Sequence, residues 1–437
     1  MGVDRSKMKI FLEAPILTQS GYGEHSRLVY ESIKDKGYDI YINPLAWGTT
    51  TWANDTNRAE IEQLIDKYKT YASQSKKTKQ QLDFDVQIHV GIPNEFQKKA
   101  RYSICVTAGI ETDRVSSNWL LKTHEGIDKL IVPSEHSKSG FVNTAYEVIN
   151  NQTKERQILQ CNCPVDVVPY PVKDLKTTNL DLDVETKFNF LTVALLGPRK
   201  NIENTVKWFL QEFKNDPDVG LIVKTAYSKG SLIDRKNTLK HIKQVVSEAG
   251  ESKCKVYLLH GNMTPEEIHS LYVSPKINAY VSASHGEGFG LPIFEAAYSG
   301  VPVVATDWSA HLDFLTAPYK ESGKLKDKKL FARISHNLAE VPKKAVWENI
   351  IIEGAQWAYP NEASFKQQIR KVKNNYGMYK KWATKLQEHV LQTHKKKDIL
   401  QKMHDAIVPQ DYKHPEDKKS TVDEIEEIFA SLSQGLE

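Results

Sequence analysis

The residues best suited to chemistry lie in Ser284-His285-Gly286-Glu287-Gly288-Phe289-Gly290-Leu291-Pro292-Ile293-Phe294-Glu295-Ala296. This segment follows a strand-like run and opens a helix, with Pro292 suited to the first helical position. Its three glycines let backbone N–H groups approach a ligand without Cβ obstruction. At a helix N-terminus those amides favour a phosphate or a sugar oxygen. Glu287 falls in the loop and Glu295 about one turn into the helix, so both line one cleft. One carboxylate can address a sugar while the other accepts both hydroxyls of a ribose, which is what holding a nucleoside diphosphate sugar requires. The plain alternative is a glycine-rich turn with two solvent-facing glutamates. Two carboxylates separated by seven residues around Gly-Phe-Gly-Leu-Pro are more specific than a lone Gly-x-Gly.

Two further groups deserve roles. Thr18-Gln19-Ser20-Gly21-Tyr22-Gly23-Glu24-His25-Ser26 links the first strand to the first helix. There Gly21, Tyr22 and Gly23 form either a plain tight turn or a loop that a phosphate or an acceptor approaches. Glu111 and Asp113 follow a strand end, where a carboxylate can orient an acceptor, take its hydroxyl proton or cap the next helix. His89, His260 and His285 lie near strand ends without metal-ligand spacing, and no Asp-x-Asp metal motif stands at a strand end with a diphosphate role. Cys105, Cys161, Cys163 and Cys254 are too sparse for a disulfide framework, and Cys161-x-Cys163 lacks the second pair of a zinc site.

Positioning these residues takes alternating strands and helices. Strand-like runs occur at 9–12, 39–44, 84–90, 102–108, 129–133 and 166–169, and again at 188–195, 219–224, 254–259, 277–282 and 301–305. Runs such as Val301-Pro302-Val303-Val304-Ala305 are apolar throughout, as a strand buried on both faces of a parallel sheet must be. Ser134 caps one expected helix; Thr264-Pro265-Glu266-Glu267 opens another with a hydroxyl cap, Pro in the first turn and Glu at its third position. The pattern predicts an α/β protein with two doubly wound, Rossmann-like domains facing across a cleft. We expect domains at 1–172 and 173–385, parted where Pro164, Pro169 and Pro171 crowd together, and a helical segment at 386–437 returning to the first domain.

Composition sets outer bounds. The 437 residues carry 59 basic and 55 acidic side chains, a balance that demands no nucleic-acid partner. Basic clusters at Lys76, Lys77, Lys79, at Lys98, Lys99, Arg101 and at Lys395, Lys396, Lys397 read as solvated faces or as contacts for an anionic acceptor. No apolar run reaches the roughly 20 residues of a membrane span, and a cytoplasmic location is expected. The opening Met1-Gly2-Val3-Asp4-Arg5-Ser6 fits an N-myristoylation pattern, yet 1–7 and 436–437 read better as cloning remnants.

The 284–296 segment resembles the E-x7-E motif of retaining GT-B glycosyltransferases of family 4, and the likeness extends over most of the chain. Leu195-Leu196-Gly197-Pro198-Arg199-Lys200-Asn201 resembles the loop after the first strand of that family's donor domain, and Val303-Val304-Ala305-Thr306-Asp307-Trp308-Ser309 the stretch after its motif helix. Gly109-Ile110-Glu111-Thr112-Asp113 and Ile131-Val132-Pro133-Ser134-Glu135-His136-Ser137 resemble acceptor-domain segments of phage and other viral members.

The resemblance implies that Glu287 sits beside the transferred sugar. Gly288, Phe289 and Gly290 would then contact its hydroxyls, Leu291 a phosphate and Glu295 the ribose. Lys200 and Arg199 would neutralise the diphosphate. Relatives place an Arg several residues before that Lys; here the two are adjacent, and Lys224 is either a surface lysine or the missing charge. Base selection is expected between His260 and Met263. The resemblance further implies a metal-independent, retaining transfer with no cofactor beyond the donor. The acceptor would be a hydroxyl of a glycan, a small molecule or a hydroxymethylated base in phage DNA. A catalytically weak sugar-nucleotide-binding subunit remains the alternative.

Overall fold

The structure is a computed structural model that describes residues 8–408 apart from 49, 51, 53–56, 150–153, 229 and 322. The remnants expected at 1–7 and 436–437 lie outside these residues. The first part of the chain runs β1 (Lys9–Ala14), α1 (Gly21–Ile33), β2 (Asp39–Pro44), α2 (Arg58–Thr78), β3 (Val86–Val90), β4 (Tyr102–Val106), α3 (Ser117–His124), β5 (Lys129–Val132), α4 (Glu135–Val142), β6 (Ala145–Ile149), β7 (Arg156–Gln160) and β8 (Val165–Val167). The second runs β9 (Phe188–Val193), α5 (Ile202–Glu212), β10 (Val219–Lys224), α6 (Leu232–Ala249), β11 (Lys255–Leu259), α7 (Pro265–Val273), β12 (Ala279–Ser282), α8 (Leu291–Tyr298), β13 (Val303–Thr306) and α9 (Leu312–Leu315). It continues through β14 (Thr316–Glu321), β15 (Lys324–Lys329), β16 (Ala332–Ile334), β17 (His336–Glu340) and β18 (Gln356–Pro360) to α10 (Glu362–Asn374), α11 (Tyr376–Thr393) and α12 (Lys396–Ile407).

Two six-stranded parallel sheets result, ordered β2-β1-β3-β4-β5-β8 and β11-β10-β9-β12-β13-β16. Each reverses strand order beside its first strand, the crevice where doubly wound sheets place ligands. Every residue of β13 is buried, as an apolar run covered on both faces requires; β3 is buried throughout too, with the Gln87 amide satisfied by Glu13 and the Gln97 carbonyl. Thr264 and Glu267 form the reciprocal capping box that the sequence announces for α7, and Ser134 caps α4. Helix α8 begins at Leu291, one residue earlier than expected, so Pro292 occupies its second position.

The two sheets face each other through their carboxyl ends, forming the GT-B arrangement of paired Rossmann-like domains. One hydrophobic core spans them: Val168 and Tyr170 of the crossing segment pack with Phe289 and Phe294. Helix α11 packs on α8, and α12 lies along α1. There Tyr38 hydrogen-bonds His404 at 2.8 Å, and the Lys129 amine donates to the Ala406 carbonyl. The sequence reading passed over the hairpins β6–β7, β14–β15 and β17–β18. Strand β15 is Lys-Leu-Lys-Asp-Lys-Lys, which gives no apolar run. The other strands mix apolar and polar residues without the continuous apolar runs that mark the two parallel sheets.

Candidate active site

The glycine-rich loop between β12 and α8 is pressed against the first domain. A methyl group on Gly286 would lie 2.1 Å from the Glu111 carbonyl oxygen, and one on Gly288 1.9 Å from that of Ala108. Only glycine permits this approach. Gly290 has φ +90°, and its backbone turns the loop into α8. Ser134 and Ser137 both donate hydroxyl hydrogen bonds to the Gly288 carbonyl, at 2.8 and 3.2 Å.

Inside this contact sits a four-charge cluster. Glu287 is only 5% exposed. Its carboxylate accepts from the Lys200 amine at 2.6 and 2.8 Å and from the Arg199 guanidinium at 3.1 Å. Arg199 reaches on to Glu111 at 2.6 Å and donates to the Gly286 carbonyl. Burial alone would raise the Glu287 pKa, but Lys200 and Arg199 outweigh it and hold it at about 2. Glu111 is shifted the other way: burial raises its pKa against the pull of Arg199. The Glu287 backbone N–H donates to the Ser309 hydroxyl, which fixes the carboxylate between the cations. Charge thus alternates Lys200, Glu287, Arg199, Glu111 from the second domain to the first.

Glu295 lies apart, one turn into α8, with Tyr272, Lys173 and Glu24 around it. Burial pushes its pKa up to about 7 despite Lys173. Lys173 is itself bound to Glu24 at 3.1 Å. It comes from the segment joining the domains and was missed in the sequence, where no local pattern marks it. A carboxyl whose pKa rises on folding favours folding while protonated. Its contribution is full below the ordinary carboxylate range and is lost as pH climbs towards 7. We therefore expect wild-type stability to fall between pH 4.5 and 7 by more than that of Glu295→Gln, measured by urea unfolding at each pH. Equal slopes in both proteins would reject this assignment.

The remaining candidates are dispersed. Asp113 accepts from the Gln356 backbone N–H at 2.7 Å and holds Arg114, so it clasps the β17–β18 hairpin to the first domain. The Tyr22 hydroxyl accepts from the backbone of Ala108 and Gly109 and hydrogen-bonds Thr107, and burial raises its pKa to about 12. Gly21 opens α1 behind the Ser20 cap, and a methyl on Gly23 would meet the Thr18 carbonyl at 2.0 Å. Phe289 packs its ring on Tyr170, Phe294 and Phe314, leaving only its backbone to face a ligand. Leu291 and Met263 are half-buried against the core. The Lys224 amine donates to the Gly261 carbonyl at 2.6 Å, and His260 binds Asp234 at 2.9 Å. Among the described residues, no group of three or more His, Cys, Asp or Glu side chains could hold a metal, and no helix is long and apolar enough to cross a membrane.

Known proteins share the fold and part of the sequence. Residues 181–341 match the family model described as Glycosyl transferases group 1. Over 121 residues the chain is 31% identical to the serotype-specific mannosyltransferase WbdA of Escherichia coli; the match covers 27% of this chain and 13% of WbdA. Two solved structures share the fold across 91% of this chain. Sucrose-phosphate synthase from Thermosynechococcus elongatus is 14% identical over 97% of its own chain, with a TM-score of 0.58. HepE of Anabaena, solved with UDP and glucose, is 13% identical over 98% of its chain, with a TM-score of 0.55. Residues 181–341 thus match the group 1 glycosyl transferase model, within a two-domain GT-B fold.

Proposed function

We propose that the chain transfers a glycosyl group from a nucleoside diphosphate sugar to a hydroxyl acceptor with retention of anomeric configuration, in the manner of family 4 enzymes with an E-x7-E motif. The observation that carries this reading is the buried Glu287 carboxylate, kept ionised by Lys200 and Arg199 beside the N-terminus of α8. A departing diphosphate accumulates negative charge, and fixed cations in a dry cleft stabilise it best. Lys200 and Arg199 turn from Glu287 and Glu111 to the phosphates as the donor enters. Glu287 then faces the anomeric carbon and stabilises its oxocarbenium character. The C–O bond to the diphosphate breaks as the acceptor oxygen attacks from the same face, and the leaving phosphate takes the acceptor's proton. Glu111, released from Arg199, orients that acceptor. Glu295 holds the ribose hydroxyls.

Side chains and the α8 dipole supply the positive charge that a metal would otherwise bring. Accordingly, transfer is expected to persist within about twofold in excess EDTA, whereas a collapse restored by a divalent cation would refute it. Lys98, Lys99 and Arg101 are each ion-paired, with Asp128, Glu13 and Asp83 with Asp85, which leaves that cluster poorly placed to meet DNA phosphates. The deciding experiment is a donor screen: thermal shift and nucleoside diphosphate release across UDP, GDP and ADP sugars, beside Glu287→Ala and Glu295→Ala. Stabilisation by one donor family, with release lost in Glu287→Ala, supports the reading. Failure of every nucleotide sugar to shift the melting temperature overturns it.

A further inference from the structure

The rim of the second domain carries a surface that the reaction does not use. Helix α6 starts at the carboxyl end of β10, on the cleft side, and its first two residues are the most exposed apolar side chains nearby: Leu232 at 83% and Ile233 at 75%. Leu195 and Tyr227 are exposed on the adjoining loops, the Tyr227 ring lying against His241 further along α6. The loops bearing these four residues are tied together. Leu196 N–H donates to the Ala226 carbonyl, and Asp234, in the first turn of α6, accepts from the backbone of Tyr227 and Ser228. The buried Asp234 carboxylate therefore holds the Tyr227–Ser228 loop to the turn that bears Leu232 and Ile233.

Behind it the outward face of α6 is basic. Residues 234, 238, 242 and 245 face the core. At 3.6 residues per turn, the opposite face runs through Leu232, Lys236, Lys240 and Lys243, all exposed. Between Ala226 and Ser247 the one acidic residue is Asp234, and it is buried. On the flank, Glu203 is taken up by His241.

An apolar tip followed by a lysine stripe suits one occupant above others. We propose that this face docks the protein on an anionic lipid surface, with Leu232 and Ile233 entering the headgroup boundary and the lysines lying over the phosphates. Lysine stems reach along such a boundary while their amines stay among the phosphates. A second copy fits poorly, because a two-fold contact would set the lysine stripe against itself. Nucleic acid would satisfy the lysines but leave Leu232 and Ile233 in water. The proposal concerns where the cleft works and is independent of what it transfers.

Sedimentation of the full chain with vesicles tests it. Binding is expected to phosphatidylcholine containing roughly 30% phosphatidylglycerol, to weaken with salt, and to be slight on phosphatidylcholine alone. Leu232→Ser with Ile233→Ser should weaken binding about tenfold or more. Each of Lys236→Gln, Lys240→Gln and Lys243→Gln should weaken it about fivefold. All these side chains are exposed, so unchanged melting temperatures would show that the variants remain folded. No binding by wild type, or equal binding by the serine pair, overturns the proposal. So does tight binding to duplex DNA that the serine pair leaves intact, or a dimer in sedimentation velocity that Leu232→Ser dissolves.

Discussion

Glu287→Gln is expected to lower kcat for transfer by about 10³-fold or more while the melting temperature changes by only a few degrees. The amide keeps the shape and one acceptor oxygen for Lys200 but removes the charge that both cations share and that the sugar meets as its bond breaks. Donor affinity should hold or improve, because the Glu287 carboxylate no longer competes with the diphosphate for Lys200 and Arg199, leaving only Glu111 on Arg199. Single-turnover rates and donor titration separate the two effects. A weaker donor Kd with kcat unchanged would make Glu287 a binding residue only, and turnover unchanged in both respects would remove it from the reaction.

The second large effect comes from a residue without a side chain. Gly288→Ala places a methyl where the Ala108 carbonyl oxygen lies 1.9 Å away, and Ser134 and Ser137 prevent the loop from sliding aside. The domains must part or the loop must break its hydrogen bonds. We expect about a 10²-fold fall in kcat/KM, because donor and acceptor groups lose their mutual placement. A stability loss of about 1–3 kcal/mol in urea should accompany it. Gly197→Ala is the control: it lies in the neighbouring loop with nothing within 4 Å of the added methyl. If both variants behave alike, the contact between the loop and Ala108 has no part in function.

These expectations show which parts of the molecule were legible before the fold was known. The parallel sheets were, because apolar runs such as Leu130-Ile131-Val132 state that both faces are covered. The glycine-rich loop was too, since its residue types already constrain backbone approach. What could not be read was anything depending on contact across the cleft. Arg199 and Lys200 were placed near a diphosphate, yet their pairing with Glu111 and Glu287 joins residues from both domains. Lys173 stands in a polar stretch that resembles any linker, and only the fold brings it beside Glu24 and Glu295. Asp113 looked like a cleft carboxylate, and the unforeseen hairpin containing Gln356 explains where it is spent. Such hairpins escape pattern reading because their strands are stabilised by a partner whose position the local sequence does not report.

The placement of α12 has a consequence for how the protein is made. Ile399, Met403 and Ile407 complete the core beneath α1, although they are encoded more than two hundred residues after the first sheet ends. A ribosome adding roughly 5–20 residues per second leaves that core open for tens of seconds after its strands have emerged. Until α12 emerges, the part of the core that Ile399, Met403 and Ile407 cover beside α1 stays open. Among the described helices, α12 is the last to emerge, and it closes that core.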